Sequence, residues 1–273
     1  MKQKNSRDVL KVISILGCGW YGLALANKLI KKGYIVKGST TSPEKLNSLR
    51  EGGVKAYQIN FSTENHQYDA DFFDCDILFI TIPPNRKKGE AIYFPLKIEA
   101  ICKAASLGST KQLILISSIG VYGKDSKDVN ELDLPQANSE SGNALLAAEN
   151  IVKAQKDFTA TIIRFGGLFG PKRNPGRFFA GKKSIANGLA PVNMIHLSDC
   201  LGISLAILER QAFGQIYNAC SPQHPNRAEF YTRFTKESGL ELPEFIPEFQ
   251  EWKIVNSINV PKYLDYKFVK SFN

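Results

Sequence analysis

The sequence has no apolar run long enough to span a bilayer, no internal repeat and no low-complexity tract. Histidine is scarce: His66, His196 and His224 lie far apart, so a metal site has little support. No C-x-x-C pair occurs. The five cysteines (Cys18, Cys75, Cys102, Cys200 and Cys220) are odd in number and irregularly spaced, which fits free thiols in a reducing cytosol better than disulfides or zinc. The start, Met1 to Asp8, is polar and basic, and the apolar segment after it runs into glycines, so it does not read as a signal peptide. A cytoplasmic protein with no membrane association is expected. The net charge is +9, yet lysine and arginine are dispersed and no helix-turn-helix, zinc-finger or RNA-binding signature accompanies them. Nucleic acid is therefore not the expected partner; the charge fits an electropositive cleft that attracts an anionic small molecule.

What is present organises itself around one stretch. Val12 to Leu16 is a short apolar run, followed by Gly17-Cys18-Gly19-Trp20-Tyr21-Gly22 and then a helical pattern. Strand, glycine turn and helix in that order are the context a dinucleotide site requires. Gly17 makes the tight turn, Gly19 lets a pyrophosphate approach the backbone, and Gly22 lets helix and strand pack closely. The helix N-terminus offers N–H groups and a positive dipole end to the phosphates. The alternative is a glycine-rich turn with no ligand.

Downstream, strand and helix patterns alternate with short connections. Tyr34–Gly38, Val54–Ile59, Asp76–Ile82, Gln112–Ser118 and Thr159–Phe165 read as strands, with helices opening at Pro43 under a Ser42 cap, near Pro95, and around Ala144. Lys124 to Ser139 reads as a surface loop, and Asn85 to Gly89 as a basic one. This pattern predicts an α/β fold, a Rossmann-type doubly wound parallel sheet. After Gly170-Pro171 the chain turns basic and rich in breakers. Pro191–Leu197 and Gln215–Ala219 look like short strands, with helices capped at Ser198 and running from Asn226 to Ser238, and the tail looks irregular. The expected organisation is a dinucleotide-binding domain over 1–170 and a small C-terminal substrate lobe over 171–273, interleaved with the last sheet strands.

NAD-specific sites usually place an acid at the end of strand two. Here that position holds Gly38-Ser39-Thr40-Thr41, with Lys37 or Lys45 nearby. Hydroxyls and a cation suit a 2′-phosphate, so NADP is expected, with NAD the alternative.

The glycine turn, Ser117-Ser118-Ile119-Gly120-Val121-Tyr122-Gly123, Arg164-Phe165-Gly166-Gly167-Leu168-Phe169-Gly170-Pro171 and Ile195-His196-Leu197-Ser198-Asp199 together resemble the extended short-chain dehydrogenase/reductases, the group of NAD-dependent epimerases and dehydratases. Gly17-Cys18-Gly19-Trp20 with Gly38 to Leu46 looks like an atypical branch. The resemblance implies cofactor contacts at Gly17, Gly19, Trp20, Tyr21, Gly22, Ser39, Thr40, Thr41, Thr81, Pro83 and Ser117. It also implies a catalytic hydroxyl at Ser118, the alternative being a strand-end serine that bonds local backbone.

The family's Tyr-x-x-x-Lys is missing. With Glu149 taken as the family's later glutamate, Ser141 stands at the tyrosine position and Leu145 at the lysine position. An aliphatic alcohol is a poor general acid–base at neutral pH, and leucine supplies no charge. Tyr122 is a candidate substitute acid, the alternative being a packing residue, its usual role in the family. His196 and Asp199 are read as orienting the loop and capping the helix. Two functions stay open: an oxidoreductase or epimerase acting on a sugar-like or nucleotide-linked substrate, or a non-catalytic NAD(P)-binding sensor or scaffold. A monomer or homodimer is expected.

Overall fold

A computed structural model describes residues 11–62, 65–85, 89–123, 125–270 and 272. The N-terminal Met1–Asp8, most of the basic 85–89 loop and Lys124 lie outside those residues. Strands β1 (Val12–Leu16), β2 (Ile35–Thr40) and β3 (Lys55–Gln58) are followed by a short antiparallel pair, β4 (Asn60–Phe61) and β5 (His66–Gln67). Then come β6 (Ile77–Ile80), β7 (Gln112–Ser118), β8 (Lys127–Val129), β9 (Thr159–Phe165), β10 (Gly167–Phe169), β11 (Met194–His196), β12 (Ile216–Ala219) and β13 (Lys253–Val255). Seven of them form one parallel sheet in the order β12-β9-β7-β6-β1-β2-β3. The order reverses between β1 and β6, and open α/β sheets bind ligands at such a switch point, beyond the carboxyl ends of the strands. All four residues of β6 are buried, as a strand covered on both faces requires.

The chain divides into two compact units. The first comprises 1–82, 96–115 and 154–160. In it, helix α1 (Trp20–Lys31) buries Leu25, Ala26 and Leu29. The predicted helix at Pro43 is a 3-10 turn over Pro43–Lys45 that continues as α2 (Leu46–Glu51), and Ser42 makes no side-chain capping bond.

The second unit comprises 83–95, 116–153 and 161–273. Helix α3 (Phe94–Leu107) begins in it, one residue before Pro95. Ser139 caps α4 (Glu140–Ala154), its hydroxyl accepting from Gly142 N at 3.1 Å. A short α5 (Gly176–Phe179) and α6 (Leu197–Glu209) follow. The cap of α6 is His196, whose ring accepts from Ser198 N, and Ser198 itself lies inside the first turn. Helix α7 (Arg227–Glu237) is capped by Asn226, which accepts from Glu229 N at 2.7 Å. Phe169, Val192, Met194, Phe230 and Phe272 form a buried cluster in this unit.

Two expectations need correction. The polar stretch to Ser139 contains β8, and the tail contains β13; the two pair in parallel, Lys127 with Lys253 and Val129 with Val255. Each is short and polar on one side, so neither shows a periodic signal by itself, and only the partner from the far end of the chain makes it a strand.

Candidate functional site

In the first unit, the β1–α1 turn is built to keep its backbone open. Gly17 sits at φ +104°, a conformation that favours glycine, and a Cβ there would meet Ile82 Cγ2 at 2.8 Å. A Cβ on Gly22 would collide with the Gly17 carbonyl, so only glycine lets α1 approach the turn this closely. Around Gly19, by contrast, a Cβ would meet nothing within 4 Å, and its backbone is extended at φ −80°. The turn is tight where it must pack and empty where a phosphate would lie. This geometry fits a dinucleotide pyrophosphate at the helix N-terminus.

Two hydroxyls brace the turn from the protein side. Ser39 Oγ accepts from Gly17 N at 3.0 Å, and Ser39 O accepts from Cys18 N at 2.8 Å. Thr81 Oγ1, just past β6, donates to Gly17 O at 2.5 Å and approaches Leu16 O at 3.1 Å. Both side chains therefore hold the loop in shape. Cys18 is wedged against strand two: a Cβ on Gly38 would lie 2.6 Å from its sulfur, and burial pushes its thiol up to about 12. Trp20 is half-buried, and Tyr21 is buried on the helix face.

At the end of β2, Thr40 is half-buried and Thr41 exposed. Thr40 Oγ1 accepts from Ser42 N at 3.1 Å, leaving its own O–H to donate. Lys45 is exposed on the 3-10 turn. Lys37 is turned into the protein and does not serve as a phosphate ligand. It is buried, its ammonium donates to Asp71 O and to Asp74 O at 2.9 Å, and it pairs with the Asp71 carboxylate at 3.3 Å.

In the second unit, Ser117 and Ser118 end β7. The Ser117 hydroxyl is buried and donates to Glu149 Oε1 at 2.6 Å. Glu149 in turn takes a two-pronged bond from Arg164, Nε to Oε1 at 3.0 Å and Nη2 to Oε2 at 2.6 Å, with both side chains at 1% exposure or less. Arg164 Nη1 donates to the Tyr122 hydroxyl at 2.6 Å. Tyr122 completes the cluster by bonding Asn130 O at 2.9 Å and Asn218 Oδ1 at 3.2 Å. The candidate substitute acid is thus 2% exposed, committed to the core, and pushed up in pKa by burial. This enclosure is that of a packing residue, the other of the two readings of Tyr122. The sequence showed Glu149 and Arg164 separately; their pairing needed the fold.

Ser118 is different. It is half-buried, its Oγ accepts from Gly120 N at 3.1 Å, and that leaves its hydroxyl proton without a partner among the described residues. Helix α4 packs against the same turn, a Cβ on Gly142 lying only 2.5 Å from Gly120 O. Next to Gly142, Ser141 is exposed, whereas Leu145 is buried. Sequence reasoning missed Lys253, whose ammonium donates to Ile119 O at 2.8 Å and to Tyr122 O, tying β13 to the turn that follows Ser118. Lys253 also lines a cavity of about 230 Å³ with Asn193, Arg227, Tyr231 and Trp252. Pro83, in this unit, is exposed.

Known proteins resemble the chain in sequence and in fold. Over 240 residues the chain is 33% identical to Protein YeeZ of Escherichia coli (strain K12), covering 86% of this chain and 87% of that protein. The fold superposes on UDP-glucuronic acid 4-epimerase from Bacillus cereus, solved in complex with UDP-glucuronic acid and NAD. The TM-score is 0.78 at 17% identity, covering 96% of this chain and 95% of that one. It also superposes on a functionally unknown conserved protein from Silicibacter pomeroyi DSS, with a TM-score of 0.74 at 19% identity and coverage of 96% and 95%. Among the described residues no helix is long and apolar enough to cross a membrane. Residues 17–191, beginning at the first glycine of the turn, match the NAD(P)H-binding family, and the chain belongs to it.

Proposed function

We propose that the chain is an NADP-dependent oxidoreductase or epimerase acting on an anionic, sugar-like or nucleotide-linked small molecule. The observation that carries the cofactor half is the open space at Gly19 inside an otherwise tight turn. In this reading residues 1–170 hold the dinucleotide and 171–273 the substrate. The pyrophosphate lies along the backbone from Gly17 to Gly22, in the open space beside Gly19 at the N-terminus of α1, with Ser39 and Thr81 as braces. Thr40, Thr41 and Lys45 take the 2′-phosphate, through a hydroxyl donor and a cation. When bound, the dinucleotide supplies or accepts the hydride.

Ser118 supports the catalytic half. With its oxygen held by Gly120 N, it has a hydroxyl proton to give to a substrate oxygen, and Lys253 fixes the turn that presents it. The cavity lined by Arg227, Tyr231 and Trp252, with Glu251 also on its lining, offers a guanidinium and rings to an anionic, ring-bearing substrate. The structural neighbour that binds UDP-glucuronic acid points to the same class. In this reading the proton that accompanies the hydride exchanges with water, since Tyr122 is enclosed and Leu145 supplies no charge.

Calorimetry on Gly19→Val tests the cofactor half. The Val side chain fills the phosphate space without straining the backbone, so the variant should melt like the wild type and lose NADP binding. Unchanged affinity would overturn the dinucleotide reading. NAD binding as tightly as NADP at moderate salt would overturn the assignment of Thr40, Thr41 and Lys45.

The second reading is a sensor that binds the dinucleotide without turnover. The enclosure of Tyr122 favours it. Bound NADPH that stays reduced in the presence of UDP-sugars and simple keto sugars would move this reading into the lead.

A further inference from the structure

The second unit holds a larger cavity, about 770 Å³, that shares no lining residue with the cavity beside Lys253. Its lining includes the polar side chains of Lys172, Arg177 and His196 and the rings of Phe169 and Phe234. Lys172 and Arg177 are exposed, and among the described residues neither side chain is bonded to a carboxylate. The one carboxylate on the lining, Glu237, already faces Arg233 at 3.6 Å.

The Lys172 backbone is unusual. Gly170 and Arg173 bond each other in both directions, N to O at 3.1 and 2.9 Å, which closes a two-residue turn over Pro171 and Lys172. Lys172 takes φ +62° at its second central position. Proline followed by a positive φ is the type II pattern, where glycine or asparagine is the unstrained choice. A lysine there accepts backbone strain while placing its ammonium at the cavity, and strain of this kind points towards function.

His196 supplies an independent observation. Its Nδ1 accepts from Ser198 N at 3.2 Å and faces the Ser198 hydroxyl at 2.7 Å. Nδ1 is therefore the acceptor, and Nε2 carries the hydrogen. Burial, and next the positive charge of Lys270, lower the pKa of the ring and keep it in this neutral form. No described residue bonds Nε2, so the cavity has an oriented N–H donor beside two cations.

We propose that this cavity binds an organic phosphate monoester: the phosphate on Lys172, Arg177 and the His196 Nε2–H, and the organic part against Phe169 and Phe234. A guanidinium matches two phosphate oxygens at once, and an ammonium and an imidazole N–H complete a set of donors for a tetrahedral anion. The cavity is far larger than inorganic phosphate and lies within the range of small-molecule sites.

Calorimetry with phenyl phosphate and with inorganic phosphate, on the full chain at fixed salt, tests this. Phenyl phosphate should bind saturably and at least about tenfold tighter than inorganic phosphate, the difference being the apolar wall. Arg177→Ala and Lys172→Gly should each weaken it about fivefold or more. Lys172→Gly should also melt at the same or a higher temperature, because glycine relieves the turn, so lost binding in that variant is not lost folding. Gly19→Val should leave phenyl phosphate binding unchanged. Absence of saturable binding, equal affinity for inorganic phosphate, indifference to both substitutions, or loss of binding in Gly19→Val would each overturn the proposal.

Discussion

The glycine turn after β1 and the serine turn after β7 are built from the same local plan, a parallel strand running into a bend, but they spend their side chains differently. At the first, Ser39 and Thr81 turn their hydroxyls onto the backbone of the loop and leave the space beside Gly19 free of side chains. At the second, the Ser117 hydroxyl and Tyr122 point into a buried charge pair, and the surface is left to Ser118. Binding that relies on backbone survives changes of side chain; acid–base chemistry does not. This accounts for a chain with an intact dinucleotide turn and no tyrosine–lysine pair on α4.

The difference can be broken most severely at the second turn. Arg164→Met leaves the Glu149 side chain at 0% exposure, with the Ser117 hydroxyl as its only other side-chain partner among the described residues, and removes the donor to Tyr122. Breaking a buried pair this way should cost ~3–5 kcal/mol, read by urea denaturation. A cost below ~1 kcal/mol would show that the cluster is not what holds the turn. At the first turn the corresponding break is Gly22→Ala. The added methyl collides with Gly17 O, so overpacking should cost ~1–3 kcal/mol and weaken NADP binding at once. Gly19→Val should separate those two losses, since only the binding falls.

Activity gives a finer contrast within the second turn. Ser118→Ala removes the one hydroxyl there with a proton to give and should lower any turnover by roughly tenfold or more, the worth of one hydrogen bond of about 1–3 kcal/mol. Ser141→Ala, on an exposed position with Leu145 in place of a lysine, should stay within a few-fold. Abolished turnover in Ser141→Ala would mean that the hydroxyl of α4 is catalytic after all.

How much of this was legible in the sequence follows the range of the interactions. The order of strands and helices, and the glycine turn, come from local patterns: apolar runs, breakers and three glycines within six residues. Ser39, Thr81 and Ser117 were legible as hydroxyls beside the expected site, but the side on which each hydroxyl lies depends on which atom the folded neighbour presents. Lys37 illustrates the same limit. Its position at the end of strand two suggested a phosphate ligand, yet its long side chain reaches the Asp71 and Asp74 carbonyls instead. Lys253 was not legible at all, because β13 becomes a strand only by pairing with β8.

The smallest effect concerns Asp71, the acid that pairs with Lys37. Asp71 accepts from Lys55 at 2.8 Å and from the Tyr57 hydroxyl, and it pairs with Lys37. These donors, Lys55 foremost, hold its carboxyl well below the ordinary value of 3.8. The native state therefore keeps Asp71 ionised at a pH where the unfolded chain has already taken up a proton. Its stabilisation is present above the ordinary carboxylate range and is lost as pH falls through the lowered native value. Asp71 is 45% exposed, so solvent screening limits the contribution to about 0–1 kcal/mol. Urea denaturation at pH 7, 4 and 3 should show the stability of Asp71→Asn falling less steeply with acid than that of the wild type. The variant should start lower at pH 7, because Lys37 then keeps only its two carbonyl partners. Parallel acid profiles for the two proteins would show that Asp71 titrates alike in both states, and that Lys37 is held by the carbonyls alone.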